Sequence, residues 1–216
     1  MTEPVRQFPW LPLPANPAHA PWSSAGVTFF KLHLETHLSN LLKFALGMDW
    51  LSERFGRVAS WAVLLSAGIC ALNAFIRYGL DWSSNGMLEI QWYMFAWVVM
   101  VGSPYVLKVN EHVRVDLIYG KLKGNAPVYV DIFGLIVFLL PIMGYLTWLS
   151  FPYFLNTLVS GEMSQNAGGL IRWPATLALP VGFGMVWLQG VAELIKRVAY
   201  LQGAYTMDTH YEKPLQ

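Results

Sequence analysis

The chain has 216 residues, of which 55% are hydrophobic and 12% are charged, and its mean hydropathy is +0.41. Because this is too little charge to coat a soluble domain of this size, the composition excludes an ordinary soluble globular protein and predicts a membrane protein. The net charge of +1 gives no indication of a nucleic-acid partner, and a single cysteine, Cys70, excludes an internal disulfide or a cysteine-pair metal site.

The N-terminal part of the chain changes character once before the first span. Residues 1–26 contain six prolines, which remove backbone donors and disfavour helix, so this segment is predicted to be an irregular arm. Residues 27–50 then show helical periodicity and are predicted to form an amphipathic helix that lies in the headgroup region of the membrane. The apolar residues of its stripe are Phe30, Leu34, Leu38, Leu41, Ala45 and Met48.

Four apolar runs follow, each long enough for a membrane-spanning helix, which needs roughly 20 residues. Residues 58–76 and 90–107 contain no charged residue at all. The third run is longer than one perpendicular crossing requires and contains Pro141 and Pro152, so it is expected to tilt, kink or leave the membrane near Pro152. The predicted spans are about 58–77, 89–108, 128–152 and 173–197, in a transmembrane domain of residues 51–203 that precedes a cytoplasmic tail at 204–216.

The positions of the basic residues predict the orientation of these spans. Four spans place both termini on the same side of the membrane. If that side is the cytoplasm, 12 of the 14 Lys and Arg residues are on the inner side, and only Arg77 and Arg172 are outside. Inner loops of membrane proteins carry such an excess of basic residues. The sequence therefore predicts an all-α protein with four transmembrane helices, N-in and C-in, preceded by an amphipathic interfacial helix.

No catalytic, cofactor-binding or metal site is predicted. Haem ligation within the membrane would need histidines in the spans, and all five histidines lie outside the predicted spans. An ion or proton pathway would need acidic residues deep in a span, whereas Glu89, Asp131 and Glu193 lie at predicted ends, where water or headgroups solvate them. Since no nucleophile is paired with a base either, an enzyme is not predicted.

Polar residues near the span ends point to assembly instead. Arg77 and Glu89 lie on the same side of the first hairpin and are expected to form an ion pair that closes the turn, to contact an external partner, or both. Asn73, about one turn before Arg77, is expected to hydrogen-bond to a neighbouring helix. Three residues of the next loop are expected to cap helices and to anchor that loop against a neighbouring subunit: His112, Arg114 and Asp116.

The order of these residues resembles a known family. Asn73 and Arg77 end the first span, Glu89 opens the second, and the sequence His112-Val113-Arg114-Val115-Asp116-Leu117 follows it. A later segment with Glu162 and Arg172, followed by Trp173-Pro174 and Leu179-Pro180-Val181-Gly182-Phe183, looks like the last loop and fourth helix of the same family. Over about residues 49–203, this pattern resembles the small membrane subunit of tripartite ATP-independent periplasmic (TRAP) transporters.

The resemblance implies a scaffold in the bacterial inner membrane that has no enzymatic activity. In this family a large membrane subunit carries the substrate and sodium sites, and a periplasmic substrate-binding protein delivers an organic acid. The small subunit would brace the moving large subunit, and its outer segments, around Arg77 to Glu89 and Gly161 to Arg172, would help to dock the binding protein. An alternative is a non-catalytic membrane anchor or accessory subunit of an energy-converting complex, in which the same spans only bind partner helices.

Overall fold

The computed structural model describes a helical protein over most of its length. Apart from short connections and one isolated antiparallel bridge between Met163 and Ile171, the described residues are helical. The chain forms two compact units, Met1–Asn40 and Leu41–Gln216, and the side-chain contacts below all belong to the second unit. The residues described are 24–81, 84–109 and 124–206, with side chains from residue 38 onward.

Several predicted features therefore lie outside the described residues. They include nearly all of the proline-rich arm and most of the C-terminal tail. The candidate residues of the loop after the second span also lie there: His112, Arg114 and Asp116.

Within the described part of the chain, four helical stretches are long and apolar enough to cross a membrane. The third stretch is one continuous span made of two α-helices with a π-helical segment between them. This confirms the all-α class and the presence of four helices that are able to span a membrane. The elements are α1 (Ser24–Gly79), α2 (Asn85–Val109), α3 (Ala126–Gly134), the π-helical segment (Leu135–Leu139), α4 (Leu140–Ser160) and α5 (Trp173–Leu201).

The predicted boundary before the first span is absent. α1 has no end between residues 50 and 58, so the structure has no separate interfacial helix that stops at residue 50. The predicted boundary coincides with Glu53, Arg54 and Arg57, which interrupt the hydropathy pattern. Glutamate and arginine have high helix propensity, however, so a cluster of them does not end a helix. The location of the preceding segment at the membrane surface remains a prediction.

The third span is longer than predicted because neither proline ends it. α4 continues past Pro152 to Ser160 and ends at Gly161, whose φ of 61° is left-handed. Before Pro141 the helix widens into the π-helical segment, where the Leu140 N–H bonds to the carbonyl of Leu135. Membrane helices tolerate such prolines because local π turns and neighbouring groups satisfy the freed backbone atoms.

α5 is the most buried of the four spans. In its most apolar window 39% of the residues are buried, compared with 6 to 17% in the other three spans. It contacts both α2 and α4, and it approaches α2 closely at a glycine. A Cβ atom on Gly182 would lie only 2.5 Å from the Cβ of Met100. A glycine at this point lets the two helix backbones pack together, as small residues do in membranes.

α1 faces the rest of the second unit through a narrow stripe of mostly small residues. A Cβ atom on Gly56 would lie 2.6 Å from the ring of Tyr105 in α2, and one on Gly102 would lie 3.5 Å from the Cβ of Ala59. The other faces of α1 are open, and Phe75 is 79% exposed. Most of its apolar surface is therefore available to lipid or to another membrane chain. The stripe consists of Ser52, Gly56, Ala59, Ala62, Ser66, Ile69, Asn73 and Ile76.

Candidate functional site

The connection between α4 and α5, residues 161–172, is an ordered hairpin. The Ser164 N–H donates to the carbonyl of Leu170 at 2.9 Å, and the Arg172 N–H donates to the carbonyl of Glu162 at 3.0 Å. These backbone bonds close the segment on itself, so its polar side chains have defined positions. We name residues 161–172 the α4–α5 hairpin. The end of the second unit at which this hairpin lies is named the hairpin end.

Glu89, near the start of α2, fixes this hairpin through its carboxylate. The residue is only 2% exposed. Its Oε1 accepts hydrogen bonds from Ser164 Oγ and from Asn166 Nδ2 (2.7 Å), and its Oε2 accepts one from the Leu170 N–H (2.6 Å). Bonds to an ionised acceptor are stronger than neutral ones. Glu89, Ser164, Asn166 and Leu170 together form what we name the Glu89 latch.

Three other side chains of α2, spaced four residues apart, form hydrogen bonds to the α4–α5 hairpin or to the first turn of α5. Together with Glu89 they occupy positions 85, 89, 93 and 97, which lie on one face of a helix. The four-residue spacing is visible in the sequence. It does not reveal the acceptors of these hydrogen bonds, which lie 77 to 82 residues further along the chain. The bonds run from Asn85 Nδ2 to Ala167 O (3.0 Å), from Tyr93 Oη to Ile171 O (3.2 Å) and from Trp97 Nε1 to Pro174 O (2.9 Å).

The predicted ion pair between Arg77 and Glu89 is wrong. Glu89 turns toward the α4–α5 hairpin, where it finds the three donors that a buried carboxylate needs. Arg77 lies exposed in the last turn of α1 and has no ion-pair partner among the described residues. The sequence prediction paired the two residues because they share one hairpin, whereas the returning loop supplies the actual partners.

Asn73 is buried on the inward stripe of α1 and is 7% exposed. Its Oδ1 has no hydrogen-bond partner within residues 24–81, 84–109 and 124–206. This oxygen therefore does not make the predicted bond to a neighbouring helix within that part of this chain, and a bond to a helix of another subunit remains a prediction.

The charged side chains of the α4–α5 hairpin pair with each other. Arg172 Nη1 donates to Glu162 Oε1, and Arg172 Nη2 lies 3.4 Å from the hydroxyl of Tyr153 in α4. The side chains of Arg172 and Glu162 are 37% and 43% exposed. Arg172 also lines a cavity of about 290 Å³, which we name the hairpin-end cavity. Its walls include Trp92, Tyr93, Tyr153, Arg172, Thr176 and Leu179.

A second polar site lies near the other end of α5, and the sequence analysis missed it. Glu193 was expected at a solvated span end but is only 3% exposed, so that expectation is wrong. Lys196 Nζ donates to both carboxylate oxygens of Asp49 in α1 (3.0 Å each) and to Glu193 Oε1 (2.5 Å). Arg197 Nη1 donates to Glu193 Oε2 (2.5 Å), and its Nε donates to Asp131 Oδ2 in α3 (3.0 Å).

A buried amide extends this network. Gln189 Nε2 donates to Asp49 Oδ1, and Gln189 Oε1 accepts from Ser52 Oγ, each at 2.8 Å. Buried charges are costly unless they are paired, so these contacts hold α1, α3 and α5 in one arrangement. A polar stripe in α5 was visible in the sequence, but its pairing with Asp49 was not. We name the set the buried polar cluster: Asp49, Ser52, Asp131, Gln189, Glu193, Lys196 and Arg197.

Comparison with protein-family models matches residues 66–199 to the family described as tripartite ATP-independent periplasmic transporters, DctQ component. The match covers more than half of the chain. It includes the Glu89 latch, the α4–α5 hairpin and the α5 residues of the buried polar cluster. No curated protein and no solved structure matches the chain.

Proposed function

The chain belongs to the DctQ component family of tripartite ATP-independent periplasmic transporters, and on this premise we propose that it is a static scaffold for the large subunit of such a transporter. In this proposal the chain lies in the bacterial inner membrane with both termini in the cytoplasm. The large subunit performs sodium-coupled uptake of an organic acid, which a periplasmic binding protein delivers.

The observation that carries the scaffold proposal is the distribution of polar and apolar contacts. Buried polar side chains join the helices of this chain to one another, while the apolar perimeter is left open. In the span made of α3 and α4 only 6% of the most apolar window is buried, and Trp148 is 78% exposed. Such a perimeter suits a chain that stands between lipid and a larger membrane partner.

The buried charges are paired with one another, and this favours a scaffold role over a role in carrying an ion. Lys196 is held by Asp49 and Glu193, and Arg197 is held by Glu193 and Asp131. A side chain that carries an ion through a membrane must exchange its partner during the cycle. The partners here are side chains of the same chain, so the cluster favours a fixed arrangement of helices.

The charges near the span ends support the proposed orientation. At the hairpin end, Arg77 and Arg172 are the basic residues of the predicted outer segments. Lys43, Arg54 and Arg57 stand in the middle part of α1, and Lys108, whose Nζ donates to Glu53 of α1, stands at the opposite end of α2. Cytoplasmic ends carry the greater number of basic residues, so the hairpin end is proposed to face the periplasm.

This orientation places the exposed charges of the hairpin end where the binding protein would dock. Arg77, Glu162 and Arg172 are at least partly exposed and are available for electrostatic complementarity with a partner. Glu89 is 2% exposed, so its proposed contribution is to hold the hairpin in place rather than to touch the binding protein.

Reconstitution of the transporter tests the proposed function. We expect proteoliposomes that hold the large subunit and the binding protein to take up labelled carboxylates along a sodium gradient only when this chain is present. Arg77→Glu should slow uptake at limiting binding protein, because charge reversal at an interface rim mainly lowers the association rate, and excess binding protein should restore it.

The matched control is Arg54→Glu, an exposed arginine in the middle of α1 and far along the helix from the hairpin end, which should leave uptake unchanged. Equal uptake without this chain would contradict the scaffold proposal. Equal effects of the Arg77 and Arg54 reversals would contradict the docking site. Co-purification with haem-bearing partners in place of a large transporter subunit would support an accessory role in an energy-converting complex.

A further inference from the structure

We propose that one ordered water molecule bridges Asn73 of α1 and Gln91 of α2, and that this bridge fixes the last turns of α1 against α2. Two side-chain atoms carry the inference. Asn73 Oδ1 and Gln91 Nε2 are both buried, and neither has a hydrogen-bond partner within residues 24–81, 84–109 and 124–206. Buried polar atoms in folded proteins are nearly always paired, either with protein atoms or with ordered water, so both atoms need a partner.

The two side chains lie on the faces that α1 and α2 turn toward each other. Ala59 of α1 meets Gly102 of α2, since a Cβ atom on Gly102 would lie 3.5 Å from the Cβ of Ala59. Asn73 belongs to the same stripe of α1 as Ala59 and follows it by fourteen residues, about four helical turns. Gln91 precedes Gly102 by eleven residues, about three turns, and therefore lies on the same side of α2.

The two side chains also lie at nearly the same level along this interface. α1 and α2 run in opposite directions and are joined by only five residues, so the helices stay together between this connection and the contact of Ala59 with Gly102. Counted by equal numbers of residues from that contact, Asn73 is level with Leu88. Gln91 is three residues further along α2, which is about 4.5 Å of helix rise. One water molecule can span such an offset between two amide side chains.

Water is the ligand that suits this pair of atoms. The Asn73 oxygen needs a hydrogen-bond donor and the Gln91 NH₂ group needs an acceptor, and one water molecule supplies both. A cation would be repelled by the NH₂ group, and an anion would be repelled by the oxygen. A direct hydrogen bond between the two amides would leave neither atom unpaired. Water also fits either orientation of each amide, because it both donates and accepts.

The bridge lies next to two features of the hairpin end. Arg77 follows Asn73 by four residues, about one turn of α1, and Gln91 follows Glu89, whose carboxylate holds the α4–α5 hairpin, by two residues. The bridge therefore joins the end of α1 to the part of α2 that positions the hairpin. Asn73 and Gln91 act as positioning residues for Arg77. This last consequence rests on the docking role proposed above, whereas the bridge itself does not.

Hydrogen exchange of the purified full-length chain in mild detergent tests the bridge. Asn73→Leu or Gln91→Leu should speed amide exchange in peptides from residues 70–79 by about tenfold, because each variant leaves the other amide buried with a weakened partner. The double variant should exchange more slowly than either single variant, since neither polar group is left behind. Exchange in peptides of α5 is the internal reference for a folded chain.

The matched control is Asn156→Leu, which replaces an exposed asparagine of α4 and should leave exchange at residues 70–79 unchanged. If Asn73 and Gln91 were not bridged, each would be a costly buried group, and its replacement by leucine would slow exchange or leave it unchanged. That result, or an acceleration in the double variant that equals the product of the two single effects, would overturn the proposal.

The assembled transporter provides a second comparison. An acceleration that appears only in the complex would also overturn the proposal and would support a bond from Asn73 to another subunit. The main measurement uses the isolated chain, so its outcome does not depend on the docking role of Arg77.

Discussion

Replacing Lys196 with methionine is expected to lower the free energy of unfolding by roughly 3 to 5 kcal/mol, because it removes the cation of a buried ion pair and leaves the carboxylate behind. Lys196 is 5% exposed and neutralises both Asp49 and Glu193. Without it, Glu193 keeps Arg197, but the Asp49 carboxylate keeps only the amide of Gln189. Equilibrium unfolding of the purified chain in mild detergent measures the change.

A second ion pair of α1 provides the matched control. Glu53 pairs with Lys108 of α2, and these side chains are 50% and 18% exposed. Lys108→Met should lower stability by only about 0 to 1 kcal/mol, since exposed pairs are solvated and screened. Adding Asp49→Leu to Lys196→Met should recover part of the loss, because the uncompensated carboxylate is removed. Similar losses in the Lys196 and Lys108 variants would show that the cluster does not hold the helices together.

Replacing Glu89 with glutamine is expected to open the α4–α5 hairpin while the spans stay folded. Glutamine retains the shape of the side chain but has one acceptor oxygen, and its NH₂ group would face donors of the hairpin. Loss of one charge-assisted hydrogen bond, roughly 1.5 to 3 kcal/mol, should speed amide exchange at Leu170 by about tenfold or more. Hydrogen exchange of peptides from residues 161–172 measures the opening.

The control for this experiment lies in the same hairpin. Glu162→Gln breaks an exposed ion pair and leaves the Glu89 latch intact, so it should change exchange at Leu170 very little. Exchange in Glu89→Gln that equals the unmodified chain would mean that the hairpin is ordered by its backbone bonds alone. In that case Glu89 would not be the residue that positions the docking surface.

The number of spans was predictable because it depends on local composition. Long apolar runs without charge mark a bilayer-spanning helix whatever the neighbouring segments do. The helix boundaries were less predictable. The charged residues around Arg54 changed the hydropathy but not the helix, and Pro152 was accommodated inside α4 rather than ending it.

The polar sites show the limit of sequence analysis more clearly. Glu89 was identified as a candidate, but its partners lie 75 to 81 residues away, in a loop that returns to α2. Asp49 and Lys196 are 147 residues apart, and nothing in either segment predicts their contact. Helical spacing reveals which side chains share a face, whereas the element that this face meets is decided by tertiary packing.

As a static scaffold, this chain is expected to support transport without changing its own helix packing. A reversible cross-link between two of its helices tests this expectation most directly. Ala59→Cys together with Gly102→Cys joins α1 to α2, since the two Cβ positions lie 3.5 Å apart, within the range for a disulfide. Replacing the single native cysteine, Cys70, with alanine gives a clean background. In the assembled transporter, the oxidised complex should retain the uptake rate of the reduced complex. Loss of uptake on oxidation, with recovery on reduction, would show that α1 and α2 must separate during transport and would contradict a static scaffold.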